Sequence, residues 1–347
     1  MTSRIRVLNG DGIGWEVVPA AIAVADAALT RTGVQVEWLP LPMGLDAITS
    51  DGHPMPDRVK AALADCHGWV MGPHDNVSYP TEHQATRNPS GELRHQFGLF
   101  ANVRPAKALE GLDAIGRGMD LVVMRENTEG FYSDRNMIAG SGEWELDADT
   151  VITAGVFTRG AAERIAEAAF RLAMRRRKHV TIVHKANVIK KAMGLFLETC
   201  RAVGERYPEV TIEDEHIDAM TALLVRKPST YDVIVTTNMF GDILSDLTAE
   251  LSGSLGLAPS VNHNADLAMA QATHGSAPDI AGQDIANPVG VILSTAMLFD
   301  WLGDRHEDAN LASAGAAISS VVGEVLSAGV RTPDLGARIP HRIWRVR

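Results

Sequence analysis

Cysteine is almost absent from this 347-residue chain: Cys66 and Cys200 are the only two, too few for a disulfide framework and in no CxxC pair. They are expected to be buried thiols in a reducing compartment. Positive charge is also in the minority, with 32 Lys and Arg against 43 Asp and Glu for a net −11. A surface that acidic argues against nucleic acid or an anionic membrane as partner, while leaving room for a local basic pocket that takes an anionic metabolite. Long apolar runs are missing too. The longest, around residues 289–299, falls far short of a membrane span. The N-terminal stretch turns to Gly and Asp before a leader-like apolar segment develops, so the expectation is a soluble, cytoplasmic protein.

What is present is an ordinary globular composition, 46% apolar and 22% charged, which excludes wholesale disorder. The length predicts two domains or one large α/β unit. Short apolar runs at residues 5–8, 69–71, 121–124, 180–183 and 233–235 read as buried strands. Helical patterns at about 16–30, 160–177 and 193–207 alternate with them, which predicts a largely parallel sheet with helices on both faces. Residues 133–150 break that rhythm and read as an arm or hairpin. The cationic run Arg175-Arg-Arg-Lys-His179 reads as the solvated C-terminal end of a helix. No repeat or flexible linker marks a domain boundary.

Several residue groups suggest chemistry. Gly10-x-Gly12-x-Gly14 follows a strand, but its GxGxG spacing is not the GxGxxG of a dinucleotide fingerprint, and it fits a tight turn as well as a ligand loop. Asp242 and Asp246 stand four apart, on one face if the segment is helical. They could share a hard cation, Mg²⁺ or Mn²⁺ rather than zinc, or form an exposed acidic face. The neighbours Ile243 and Leu244 suggest partial burial. Arg94, Arg104 and Arg125 each sit beside an apolar residue. Converging, they would bind a di- or tricarboxylate bidentately; apart, they are unrelated ion pairs. Lys185 and Tyr132 could serve as an acid/base pair at a substrate hydroxyl.

Taken together, these segments resemble the metal-dependent β-decarboxylating dehydrogenases of the isocitrate/isopropylmalate type. The motifs that carry the resemblance occur in order: Gly10-Asp-Gly-Ile-Gly14, Ala101-Asn-Val-Arg-Pro105, Arg125-Glu-Asn-Thr-Glu-Gly130, Val183-His-Lys-Ala-Asn187 and Asn238-Met-Phe-Gly-Asp-Ile-Leu-Ser-Asp246. His274-Gly-Ser-Ala-Pro-Asp-Ile-Ala-Gly282 with Ala286-Asn-Pro288 completes the set. The likeness implies a two-domain α/β fold with mixed sheets flanked by helices, distinct from a standard Rossmann unit. Residues 1–100 plus 253–347 would form a cofactor-side domain and 101–252 a central dimerisation domain, with an interlocking arm near 133–155. It further implies NAD-dependent oxidative decarboxylation of a malate-type 2-hydroxy acid in a homodimer with shared active sites.

On that resemblance Arg94, Arg104 and Arg125 would hold the malate carboxylates. Asp242 and Asp246, with Asp218 from the other subunit, would hold Mg²⁺ or Mn²⁺. Lys185, also from the partner, would take the hydroxyl proton, Tyr132 would protonate the enolate, and Asn187 would lie near substrate and nicotinamide. His274, Gly275 and Asn287 match the adenosine loop. Asp279 and Ile280 match NAD users, since a carboxylate accepts from ribose hydroxyls and repels a 2′-phosphate; NADP users carry Lys-Tyr there.

The chain departs from the family pattern in several places. Arg87, Asn88, Ser90 and Gly91 replace an apolar notch and favour a polar, isocitrate- or homoisocitrate-like substrate over 3-isopropylmalate, D-malate or tartrate. Trp15 follows Gly14 where Pro is usual, Gly72-Pro-His-Asp-Asn76 replaces a glycine-rich segment, Gln271 stands in place of Glu, and residues 337–347 lack the expected helix. A non-catalytic regulatory subunit is the competing reading, and it is opposed by the presence of Tyr132, Lys185 and all three aspartates. A simple metal-dependent hydrolase would have no use for Asp279-Ile280 or the arginines.

Overall fold

The protein is described from a computed structural model, in which residues 3–84, 87–132 and 142–336 are placed. The strands in chain order are β1 (Ser3–Leu8), β2 (Val36–Pro40), β3 (Gly68–Met71), β4 (Ala101–Lys107), β5 (Asp120–Glu126) and β6 (Glu143–Asp147), followed by β7 (Thr150–Thr153), β8 (His179–His184), β9 (Thr211–His216), β10 (Val233–Thr236), β11 (Val261–His263) and β12 (Ala268–Ala270). All five strands read from the apolar runs are present. The chain divides into two compact units: residues 1–93, 109–113 and 253–347 form the first, and 94–108 with 114–252 the second.

In the first unit, strand order is β2-β1-β3-β12-β11. The first three pairings are parallel and β11–β12 is antiparallel. Helices Gly14–Thr32, Val289–His306 and Ala309–Ser327 pack one core around Ile5, Val17, Val70, Phe299 and Leu311. Helix Ala309–Ser327 is long and apolar enough to cross a membrane by length and composition. Its Leu311, Ala314, Ile318, Val322 and Leu326 are nevertheless buried in this core. The glycine turn is a packing device. Asp11 N–H donates to the Pro73 carbonyl at 2.8 Å and Ile13 N–H to the Ser276 carbonyl at 2.9 Å. Gly12 has φ +55°, and a β-carbon there would stand 2.1 Å from the Ser276 oxygen, so no side chain fits. The buried Asp11 carboxylate accepts from Leu45 N–H, Asp75 N–H and the Tyr79 hydroxyl at 2.6–2.9 Å, tying three loops together.

In the second unit the order is β4-β5-β10-β8-β9, antiparallel at β4–β5 and parallel elsewhere. Both faces are covered, which is why its strands read as continuous apolar runs. Val122, Met124, Val180, Ile182, Val233 and Val235 pack under helices Arg159–Met174 and Lys190–Gly204. Leu121, Val123, Val183 and Ile234 point the other way, towards helices Ile217–Arg226 and Asn238–Ser252. The period-2 alternation of a strand places residues 121, 123 and 125 on this second face. β6 and β7 form a hairpin whose residues are all exposed. It lies in the span read as an arm; residues 133–141 of that span fall outside the described residues, as does the atypical 337–347 end.

At three places the structure differs from the local expectation. The basic run at 175–179 follows the C-terminus of helix Arg159–Met174 and is solvated at Arg175 and Arg177, but not at Arg176. Arg176 donates to the buried Asp232 at 2.7 Å and to Asp120 at 2.8 Å, because a fully buried carboxylate requires a cation. Of the Asp242–Asp246 pair expected to be partly buried, Asp242 is so, but Asp246 is largely exposed, as is Ile243 beside it; Leu244 is buried. Cys200 is buried as expected, whereas Cys66 is only partly so; burial pushes the Cys66 thiol up to about 11.

Candidate active site

The register of β4 on β5 builds the cationic half of the site. Asn102 pairs with Arg125 and Arg104 with Val123, and directly paired residues share a face. Arg104 and Arg125 therefore both point towards helix Asn238–Ser252. That helix presents Asp242, Ser245 and Asp246 at i, i+3 and i+4, on one side. The result is a dense charge cluster. Arg125, only 1% exposed, bonds Asp242 with one terminal nitrogen and grips the Asn238 side-chain oxygen with Nε at 3.0 Å and Nη2 at 2.7 Å. Arg104 donates to Ser245 Oγ at 2.6 Å and lies 3.4 Å from Asp242 and 3.6 Å from Asp246. Arg94, on helix Pro89–Gln96, is buried and adds its field to Asp242. The Tyr132 hydroxyl donates to Asp242 Oδ2 at 2.8 Å, and its ring lies 5.7 Å under the Arg125 guanidinium.

These contacts push the two carboxylates apart in acidity. Burial raises Asp242, but Arg125, Arg104 and the Tyr132 hydroxyl outweigh it and hold the group below the usual carboxylate range. Asp246 moves upward, chiefly by burial, with the Asp242 charge adding to it despite Arg104. Burial, reinforced by Arg104, brings the Arg125 guanidinium down to about 10, still charged at neutral pH.

Lys185 and Asp218 stand elsewhere in the second unit. Lys185 follows β8, Asp218 lies in the first turn of helix Ile217–Arg226, and the two form an ion pair with each other. Asn187, beyond Lys185, is exposed. Among the described residues no three His, Cys, Asp or Glu side chains gather to hold a metal ion, so Asp218 does not join Asp242 and Asp246 within one chain.

The remaining expected positions lie in the first unit. His274, Gly275, Asp279, Ile280 and Asn287 occupy the loop between β12 and helix Val289–His306. Ala277 and Asp284 there hold positive φ without being glycine, the kind of strain that collects at ligand loops. His274 Nδ1 donates to the Gly275 carbonyl at 3.0 Å, which leaves Nε2 as a buried acceptor without a partner. Asp279 is exposed. Both amide atoms of Asn287 are engaged, Oδ1 by Val289 N–H and Nδ2 by Asp334, each at 3.0 Å. Asn88 Oδ1 accepts from Gly91 N–H at 2.6 Å, Arg87 pairs with Glu92, and Ser90 is buried. Gln271 is buried, and Trp15 is exposed.

Asn238 and Ser245, which orient Arg125 and Arg104, were not picked out as site residues from the sequence. Both lie inside the motif around Asp242, and a buried arginine's need for neutral acceptors beside its carboxylate is the signal that points to them.

Two α/β units, one presenting an arginine–aspartate cluster and the other a strained loop against a glycine turn, define the class of protein. The particular family follows from comparison. The family model for isocitrate/isopropylmalate dehydrogenase matches residues 4–343, and the chain belongs to that family. It is 41% identical over 339 residues to the isocitrate/homoisocitrate dehydrogenase of Thermus thermophilus, covering 97% of this chain and 94% of the relative. It is also 41% identical over 337 residues to the 3-isopropylmalate dehydrogenase of Archaeoglobus fulgidus, covering 97% and 95%. The crystal structure of isocitrate dehydrogenase from Methylococcus capsulatus superposes with a TM-score of 0.84 at 38% identity, covering 98% of this chain and 95% of that one.

Proposed function

We propose that the protein catalyses NAD-dependent, divalent-metal-dependent oxidative decarboxylation of a 2-hydroxy di- or tricarboxylic acid, with an isocitrate- or homoisocitrate-like substrate. The observation that carries this reading is the convergence of Arg104 and Arg125 on Asp242, with Asp246 one turn away. Guanidinium forks of this kind suit substrate carboxylates, and here they are buried, where water competes least.

The donors suit a hard cation. Two carboxylates one turn apart, one of them raised by burial and by its neighbour's charge, gain from a shared divalent ion. Asp242 and Asp246 would hold it, and Asp218 of a second copy would complete the set. Sharing between copies is supported by the absence of a third acidic ligand within one chain, among the described residues. It is supported too by the exposed apolar side chains Trp144, Leu146, Val151 and Ile152 of the β6–β7 hairpin. The unpartnered acceptor of His274 suits an adenine amino group, and the exposed Asp279 suits ribose hydroxyls.

When bound, the metal supplies Lewis-acid polarisation of the substrate oxygen and NAD⁺ supplies the hydride acceptor. The chain's own residues do the rest. Arg94, Arg104 and Arg125 orient the carboxylates. Lys185 of the second copy takes the hydroxyl proton as the hydride leaves the carbinol carbon. The bond to the β-carboxylate then breaks, CO₂ departs, and Tyr132 delivers a proton to the carbon that lost it. Polar Asn88 and Ser90 favour an additional carboxylate or hydroxyl on the substrate. Following NADH absorbance with Mn²⁺ across isocitrate, homoisocitrate, 3-isopropylmalate, D-malate and tartrate tests the reading: a tricarboxylate should win. A clear win for 3-isopropylmalate would remove the substrate assignment, and no reaction with any acid would remove the activity.

A further inference from the structure

His184 closes β8 immediately before Lys185 and is only 2% exposed. Its two ring nitrogens have different partners. Ala186 N–H, which can only donate, points at Nδ1 at 3.0 Å, so Nδ1 carries no proton. The proton therefore sits on Nε2, which donates to Asp214 Oδ2 at 3.1 Å. Arg201 bonds the other oxygen of Asp214. Burial would raise Asp214, but its bonds to His184 and Arg201 outweigh that and keep it below the ordinary carboxylate range, an acceptor at neutral pH. The ring also meets His216 edge-on, with centroids 5.2 Å apart at 70°, and the two histidines are paired in register at the ends of β8 and β9. Beyond them the chain turns tightly: the Lys185 carbonyl accepts from Val188 N–H at 3.1 Å and Ile189 N–H at 2.9 Å. Two residues past His216 comes Asp218, the partner of Lys185.

One buried ring thus touches both chain segments that present the Lys185–Asp218 pair. We propose that His184 is a positioning residue for Lys185: held as the Nε2–H tautomer by Asp214 and Arg201, it fixes the turn after β8 through Ala186 and the start of helix Ile217–Arg226 through His216. This rests on the reading above that Lys185 takes the hydroxyl proton. Any buried histidine needs partners at both nitrogens; what marks this one is that its donor at Nδ1 is the backbone N–H next to Lys185 and its acceptor at Nε2 is a carboxylate held by its own arginine.

The two halves of the ring can be separated. In His184→Asn the amide oxygen takes the place of Nδ1 and can still accept from Ala186. In His184→Gln the amide nitrogen takes the place of Nε2, keeping Asp214 but leaving Ala186 without an acceptor. Steady-state kinetics of the full-length enzyme should show H184N within about threefold of wild-type kcat. H184Q should lose about tenfold to a hundredfold in kcat, since a displacement near 1 Å has effects of that size, while KM for the acid is unchanged. Equal kcat for H184N and H184Q, or losses that simply follow their melting temperatures, would overturn the proposal. If H184Q does not fold, Asp214→Ala serves in its place: it removes the acceptor that selects the tautomer, kcat should again fall, and wild-type kcat would overturn the proposal. Nitrogen-15 NMR of labelled histidine in the wild-type protein reads the tautomer directly, and a proton on Nδ1 would overturn it whatever the kinetics. Lys185→Ala keeps the two claims distinguishable: turnover without Lys185 removes its role as base, whereas an inactive K185A beside equal H184N and H184Q removes only the positioning role.

Discussion

Gly241 lies so close to Arg125 that a β-carbon on it would stand 2.6 Å from both Cβ and Cγ of the arginine. Those atoms belong to the buried root of the side chain and cannot swing aside. The glycine therefore sets how near helix Asn238–Ser252 comes to β5, and with it the reach between Asp242 and Arg125. Gly241→Ala gains up to about 1 kcal/mol of helix propensity. It loses about 1–3 kcal/mol to overpacking, so the net effect is destabilising. Thermal melting should show the loss, and KM for the acid should rise at least about tenfold as Arg125 is displaced; an unchanged KM would contradict the coupling.

Removing the charge of Asp242 should cost stability as well as activity. Asp242→Asn leaves the buried Arg125 facing an amide. Breaking a fully buried pair costs roughly 3–5 kcal/mol, and the loss here should fall below that range because the Asp242 side chain is 35% exposed. Chemical denaturation measures it, and calorimetry with Mn²⁺ should show divalent binding lost. A variant as stable as wild type would mean that Asn238 alone satisfies the guanidinium.

Metal binding should carry an acid limb set by Asp246, not Asp242. The raised group protonates first as pH falls, at values above the ordinary aspartate value of about 4, while its lowered neighbour stays ionised. Mn²⁺ affinity, titrated at successive pH values, should therefore fall on acidification from the Asp246 side and recover on return to neutrality. Affinity that stays level until the lowered Asp242 protonates would reverse the assignment.

Cofactor choice should move with two side chains. Replacing Asp279 by Lys and Ile280 by Tyr removes acceptors for the ribose hydroxyls and supplies a cation for a 2′-phosphate. Hydrogen bonds to a charged group are worth about 1.5–3 kcal/mol, so kcat/KM for NAD should drop roughly ten- to a hundredfold while NADP turnover rises. Parallel assays with the two nucleotides check this, and an unaltered preference would place discrimination elsewhere in the loop.

The sequence was most legible where chemistry is local. The strand cores at 121–124 and 233–235 are recognisable because both of their faces are buried. The Asp242–Asp246 pair is recognisable from a spacing of four on one helix. What could not be read is register: nothing local brings Arg104 and Arg125 to one face until β4 is paired antiparallel with β5. The role of Arg176 is hidden for a similar reason, since its partner Asp232 lies 56 residues away and fully buried. His184 is one of 12 histidines, and only the contacts of its two nitrogens separate it from the others.

The central claim is that oxidation and loss of CO₂ are coupled and depend on a divalent ion. The measurement that tests it most directly is the ratio of CO₂ released to NADH formed from isocitrate or homoisocitrate, with Mn²⁺ and after chelation. One CO₂ per NADH, with both abolished by the chelator and restored by Mn²⁺, is the result expected. NADH formed without CO₂, or turnover indifferent to chelation, would contradict the account.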